Sequence, residues 1–131
     1  MSIADARDAL AAAFDSIDGV RCGDGMIRDQ VNPPEVMIDY ELDPHLVFAR
    51  GAAEVTFTAK TFLNRTSERS SQAIADRLKD PTDADGITVV IEGWDTDAYQ
   101  YAAVRRLGAL GLATVGGVEY LMFETEIEVV L

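Results

Sequence analysis

Three groups of residues have types and spacings that could do chemistry. With Gly86 taken as the sixth position of a calcium-binding loop, Asp83, Asp85 and Glu92 fall at the third, fifth and twelfth, all liganding positions. The first position breaks the pattern, because it holds Pro81 and leaves Asp80 one residue out of register. Asp39 with Glu41, and Glu124 with Glu126, are carboxylates two apart in alternating segments, so each pair shares a face, as the paired acids of a glycosidase would. Solvated acids on the polar side of a strand explain them more simply. Gly108, Gly111, Gly116 and Gly117 do not reproduce a dinucleotide fingerprint, and a bulge and a tight turn are the better use for them. A single histidine, His45, and a single cysteine, Cys22, leave no zinc cage and little for a catalytic triad. The expectation is a chain that is not an enzyme, with no catalytic residue, metal ligand or cofactor.

Composition bounds the alternatives. The 131 residues are 48% apolar and 26% charged, which fits one domain with a real core, residues 1–131, since domains run to roughly 100–200 residues. The formal net charge of −12 has the wrong sign for a surface that neutralises phosphates. No apolar run approaches the ~18 residues of a spanning helix, and Met1-Ser2-Ile3-Ala4-Asp5 lacks the basic and apolar regions of a signal peptide. The reading is therefore a soluble, unexported protein without a membrane partner. Cys22 can form no internal disulfide, in keeping with a reducing compartment, and Asn64-Arg65-Thr66 is an accidental glycosylation sequon. Charge is also segregated along the chain. Arg50, Lys60, Arg65, Arg69, Arg77 and Lys79 make residues 50–79 locally basic, whereas residues 80–97 hold Asp80, Asp83, Asp85, Glu92, Asp95 and Asp97 and no base. A solvated surface is one explanation. The other is head-to-tail self-association, the basic side of one copy (Arg50, Arg65, Arg69, Arg77) meeting an acidic side of the next.

Periodicity supplies the elements that would position these groups. Ile3, Ala6, Leu10, Ala13, Phe14 and Ile17 form the stripe of an amphipathic helix, capped by Ser2 at its start and Gly19 at its end. Asn32-Pro33-Pro34 bars regular pairing, after which Val36, Ile38, Tyr40 and Leu42 alternate with polar positions as a half-buried strand. Val55, Phe57, Ala59, Thr61 and Leu63 mark a second strand over residues 53–63. Thr66 or Ser67 can cap a second helix that ends before Pro81. Ile87-Thr88-Val89-Val90-Ile91 is β-branched but too short to separate strand from helix. A strand around residues 102–114 and a turn at Gly116-Gly117 lead to a last strand carrying Leu121, Phe123, Thr125, Ile127, Val129 and Leu131 on one side. The fold class is α+β: a four-stranded, mainly antiparallel sheet packed by two or three helices on one face.

Two features read as interaction surface. The connection between the first two strands is about ten residues, longer than the ~2–5 of an ordinary hairpin, and carries Leu46, Val47 and Phe48, which either fold back on the core or await a partner. Trp94, Tyr99 and Tyr101, interleaved with Asp95 and Asp97, suit an interface with an aromatic centre and polar rim.

The order of these features resembles the tail terminator proteins of long-tailed, siphovirus-like bacteriophages. The resemblance rests on the first helix ending in Ile17-Asp18-Gly19-Val20, on Asn32-Pro33-Pro34 before the first long strand, on Phe57 to Leu63 leading into Ser67-Glu68-Arg69-Ser70-Ser71-Gln72, and on Gly117-Val118-Glu119-Tyr120-Leu121 entering the last strand. It departs from the family pattern over residues 80–100, where members have a short helix and this chain has its β-branched run. The resemblance implies a virion protein, assembled in the host cytoplasm, whose hexameric ring caps the completed tail tube, ends its polymerisation and joins the tail to the head. Its implied partners are further copies of itself, the tail tube protein and a head-closure or neck protein, with DNA passing through the lumen unbound. The competing readings are another head-tail neck protein, such as a head-closure or adaptor protein, and a small acidic calcium-binding domain.

Overall fold

In the computed structural model, which describes residues 3–23, 30–40, 48–49 and 52–131, two opposed alternations build the sheet. β3 (Ala52–Asn64) and β6 (Val118–Val130) run antiparallel down its centre, from Glu54 opposite Val130 to Asn64 opposite Tyr120. Phe57, Ala59, Thr61 and Leu63 of β3 and Leu121, Phe123, Thr125, Ile127 and Val129 of β6 all point to one face and are all buried. Because side chains alternate strictly along a strand, a slip of one residue would turn this entire set to the other side, and the apolar pattern therefore fixes the register. β1 (Glu35–Tyr40) pairs with the far side of β3, and β4 (Tyr101–Leu107) with the far side of β6, giving the order β1-β3-β6-β4, antiparallel throughout. The two-residue β2 (Phe48–Ala49) pairs with the start of β3.

The strand expected around residues 102–114 is broken in two. Arg105 is an extra residue in the β4 ladder, where the register shifts between Val104 and Arg106, and the chain leaves β4 at Gly108 to re-form as β5 (Gly111–Val115). Both pieces lie along the same side of β6, β4 beside Thr125–Val130 and β5 beside Val118–Met122. Gly116 and Gly117, with φ of 58° and 78°, make the two-residue turn to β6, the conformation that two-residue hairpins require and that glycine adopts without steric cost.

Three helices cover the apolar face. α1 (Ile3–Asp15) buries Ala6, Leu10, Ala13 and Phe14, the expected stripe, and the chain turns out of it at Gly19, φ 79°. α2 (Glu68–Lys79) is entered through a 3-10 turn over Arg65–Ser67. Asn64 caps the 3-10 turn, its side-chain oxygen accepting from the N–H and the hydroxyl of Thr66 at 3.2 and 2.8 Å, and α2 begins directly after Ser67. The β-branched run is α3 (Ile87–Glu92), a helix and not a strand. Ile87 and Ile91, one turn apart, are both buried against the core, and burial of that pair outweighs the modest helix penalty of Val and Thr. Phe14, Phe57 and Phe123, each at 0% exposure, sit where helices and sheet meet, and each contributes roughly 1.5–3 kcal/mol of burial.

Candidate functional site

The face of the sheet turned away from the helices carries an acid-rich stretch, while Met37 and Phe62 on the same face are buried, at 2% and 4% exposure. The outward positions of β6 present Glu124, Glu126 and Glu128, joined by Glu54 on β3 and Asp39 on β1. Lys60 stands opposite Glu124, Arg106 stands opposite Glu126, and Arg105 reaches Glu128 with Nε 3.1 Å from Oε2 and a second nitrogen 3.4 Å from Oε1. The bulge in β4 aims Arg105 at this carboxylate, and the hydrogen bonds that the guanidinium donates to Glu128 hold it more firmly protonated than usual. With Glu35, which alternation places on the same side of β1 as Asp39, six carboxylates against three cations leave the face net negative. Glu124 and Glu126 thus share a face as expected, each stands opposite a cation, and with Arg106 they line a cleft of about 310 Å³ beside the break between β4 and β5. Glu41, the partner expected for Asp39, lies outside the described residues.

The acidic turn between α2 and α3 spends its carboxylates on its own backbone. Asp80 Oδ1 accepts from the N–H of Thr82 at 2.9 Å and from its hydroxyl at 2.7 Å, and these bonds hold Asp80 below its ordinary value. Asp83 Oδ1 accepts from the N–H of Asp85 at 2.9 Å. Gly86, the apparent pivot of a calcium loop, is required for a different reason: a Cβ there would stand 2.6 Å from the Asp80 carbonyl oxygen and 3.1 Å from that of Asp83. Glu92 turns away from the loop and accepts from the N–H of Val104 on β4 at 3.0 Å. Among the described residues, no group of three His, Cys, Asp or Glu side chains is placed to hold a metal ion.

The aromatic trio is not one surface. Tyr99 is 7% exposed and belongs to the core, where burial pushes its phenol above the ordinary value, and Trp94 is half-buried against the same core. Tyr101, at 53%, is the one of the three presented to solvent. The alternation with Asp95 and Asp97 misled because residues 93–100 are an irregular connection, in which sequence spacing does not set the side-chain direction.

Nor are the arginines a uniform basic patch. Arg65 is paired with Glu119 of β6, and Arg77 donates to the carbonyl of Asp18 beyond α1 at 2.9 Å. Lys79 Nζ lies 5.8 Å from the ring centre of Phe123. Arg69 is exposed on α2 with Glu68 and Asp76 on the same flank. Leu46, Val47 and Arg50 lie outside the described residues. Phe48 is in β2, its backbone opposite Ala53, so the long connection returns as a paired strand before β3.

The sequence placed the turn of the β5–β6 hairpin but did not single the hairpin out as a surface. Leu112 and Val118 are 61% and 51% exposed, and residues 107–118 contain no charged side chain. In a chain of 26% charged residues that uncharged stretch was a legible signal. An open cleft of about 620 Å³ lies between the hairpin and the start of β1, lined by Arg21, Asn32, Glu35, Val115, Val118 and Tyr120. No family model, curated protein or solved structure matches the chain.

Proposed function

We propose that this chain is a structural subunit of a bacteriophage tail terminator, a homohexameric ring that caps the completed tail tube, ends its growth and joins the tail to the neck of the head. The reading starts from the resemblance in the sequence, and the observation that carries it furthest is the one-sided sheet. Helices cover one face, and the acid-rich part of the other presents Asp39, Glu54, Glu124, Glu126 and Glu128. A sheet face of this kind suits the wall of a channel that conducts DNA, because carboxylates repel phosphates and keep the duplex from sticking. The short helix α3 lies within residues 80–100, where the family pattern has a short helix, and this supports the reading. In this role the protein performs no catalysis and holds no cofactor, and it resides in the virion at the head-tail junction.

Electron microscopy of the protein mixed with tail tubes and with polymerising tube protein tests the reading. The expected result is a sixfold ring on one end of each tube and arrested growth. Binding to a head-closure complex with no binding to tubes would assign it to the neck instead, and failure to bind either would end the proposal. The lumen assignment has its own test in Glu124→Lys, Glu126→Lys and Glu128→Lys combined. The native protein should show no retention on duplex DNA at low salt, and the triple variant should bind it in a salt-sensitive manner.

A further inference from the structure

Besides the two-residue β2, the sheet's edge strands are β1, β4 and β5, and among the described residues β5 is the one of these three with no outward group partnered. At β1, Arg21 bridges to the strand: its N–H donates to the Pro34 carbonyl at 2.9 Å and its carbonyl accepts from Val36 at 2.8 Å. Val36 and Ile38 are 2% exposed. At β4, α3 packs alongside and Glu92 takes the outward N–H of Val104. At β5, Val115 and Val118 close the two-residue turn, so Gly111, Ala113 and Val115 direct their N–H and C=O groups to β6 while Leu112 and Thr114 direct theirs away. No hydrogen bond among the described residues reaches those outward groups. The devices that blunt an edge are absent too, since β5 reads Gly-Leu-Ala-Thr-Val with no charge and no proline.

We propose that the β5 edge pairs antiparallel with the β5 edge of a second copy, about a twofold axis at Ala113. Leu112 of each copy then stands opposite Thr114 of the other, and the outward groups of both residues exchange hydrogen bonds. Three observations select a second copy as the occupant. An edge needs an edge, and among β1, β4 and β5 the one that another copy offers with none of its outward groups taken within the described residues is its own β5. The net charge of −12 makes two copies repel, and residues 107–118 form an uncharged stretch along which they can touch. The two Leu112 side chains, 61% exposed, become diagonal neighbours on one face and cover each other. The contact is short and of the weak, reversible class. Being twofold it cannot close a ring, so it is separate from the head-to-tail contacts of the proposed hexamer and does not rest on them.

Sedimentation velocity from about 10 μM to about 1 mM reads the association directly. The native chain should show a concentration-dependent twofold association. Thr114→Pro removes an outward N–H that serves nothing within the fold, and should weaken association at least tenfold with little change in melting temperature. Leu112→Lys should do the same, although it lowers the net repulsion. Thr56→Lys, the same charge change on the exposed face of central β3, should not weaken it. A native chain that shows no twofold association over this range, variants that associate like the native chain, or a twofold association that Thr56→Lys weakens as much overturns the proposal. So does a chain that stays monomeric but binds an extended peptide at this edge. Six-membered rings that are indifferent to both edge variants, with no pairing between rings, overturn it while leaving the ring reading standing.

Discussion

Replacing Thr61 or Thr125 by valine should stabilise the fold. Both residues are at 0% exposure on the helix-facing side of the central strand pair, Thr61 opposite Phe123 and Thr125 opposite Ala59, and neither hydroxyl has a hydrogen-bond partner among the described residues. Valine matches threonine in shape, so the change opens no cavity and adds no bulk. What it removes is a hydroxyl that lost its water on folding and gained nothing in exchange, a penalty of about 1–3 kcal/mol. Taking the lower end, each substitution should add about 1 kcal/mol, which for a chain of this length is about 4 °C in melting temperature. Urea titration should show a higher midpoint at unchanged slope. The two residues are diagonal neighbours across the β3–β6 ladder, and the decisive measurement is the double-mutant cycle. If the hydroxyls are unpartnered, the gains add to within a few tenths of a kcal/mol. A loss of stability in either single variant, or a coupling of about 1 kcal/mol between them, would show that the hydroxyls bond to each other or to a buried water, and would refute the reasoning.

Gly86→Ala should destabilise by about 1–3 kcal/mol in thermal or urea unfolding, because the new methyl meets backbone carbonyl oxygens that cannot swing aside. Tyr99→Phe should raise stability at neutral pH, since the buried phenol oxygen has no partner among the described residues. The same variant should flatten the alkaline limb of the stability profile. Burial raises the Tyr99 phenol above 10.0 in the folded chain, so its contribution is intact below the unfolded value and is lost as pH rises through the folded one. Melts between about pH 9 and about pH 11 would show this difference. Glu92→Ala should loosen β4 by about 1 kcal/mol and speed amide exchange at Val104, whose N–H loses its acceptor.

The framework was legible where one periodicity ran long enough to admit one explanation. The stripe from Ile3 to Ile17, the alternations around Val36, Phe57 and Phe123 and the Gly116-Gly117 turn all reappear in place. Residues 87–91 could not be resolved because β-branching favours strand, while the Ile87–Ile91 spacing that makes a helix worth burying acquires meaning only once a core exists to receive it. The division of residues 102–114 into β4 and β5 hangs on the single extra residue Arg105, whose purpose is visible only with Glu128 across the ladder. The surface was read least well. Arg65, Arg77 and Tyr99 have partners or cover from residues distant in sequence, Glu119, Asp18 and the core, and no local pattern announces such pairings. The acid-rich face is the exception, since alternation with buried residues dictates where Glu124, Glu126 and Glu128 must point.

The pairing of β3 with β6 has a kinetic consequence. Asn64 meets Tyr120 and Glu54 meets Val130, so the central ladder closes a loop that contains α2, α3, β4 and β5. The entropy of that closure is paid before the long-range contacts return anything, which places the chain among slower folders than a helical bundle of its size. The β5–β6 hairpin, held by a turn of two glycines, closes no such loop and is ready early. Until β3 arrives, the hairpin shows a second unpaired edge along β6, and the alternation that later builds the core faces water. A newly made chain is therefore most exposed to wrong partners in the interval between hairpin and sheet, and slow expression, which keeps few such chains present at once, should favour recovery of the folded protein over aggregate.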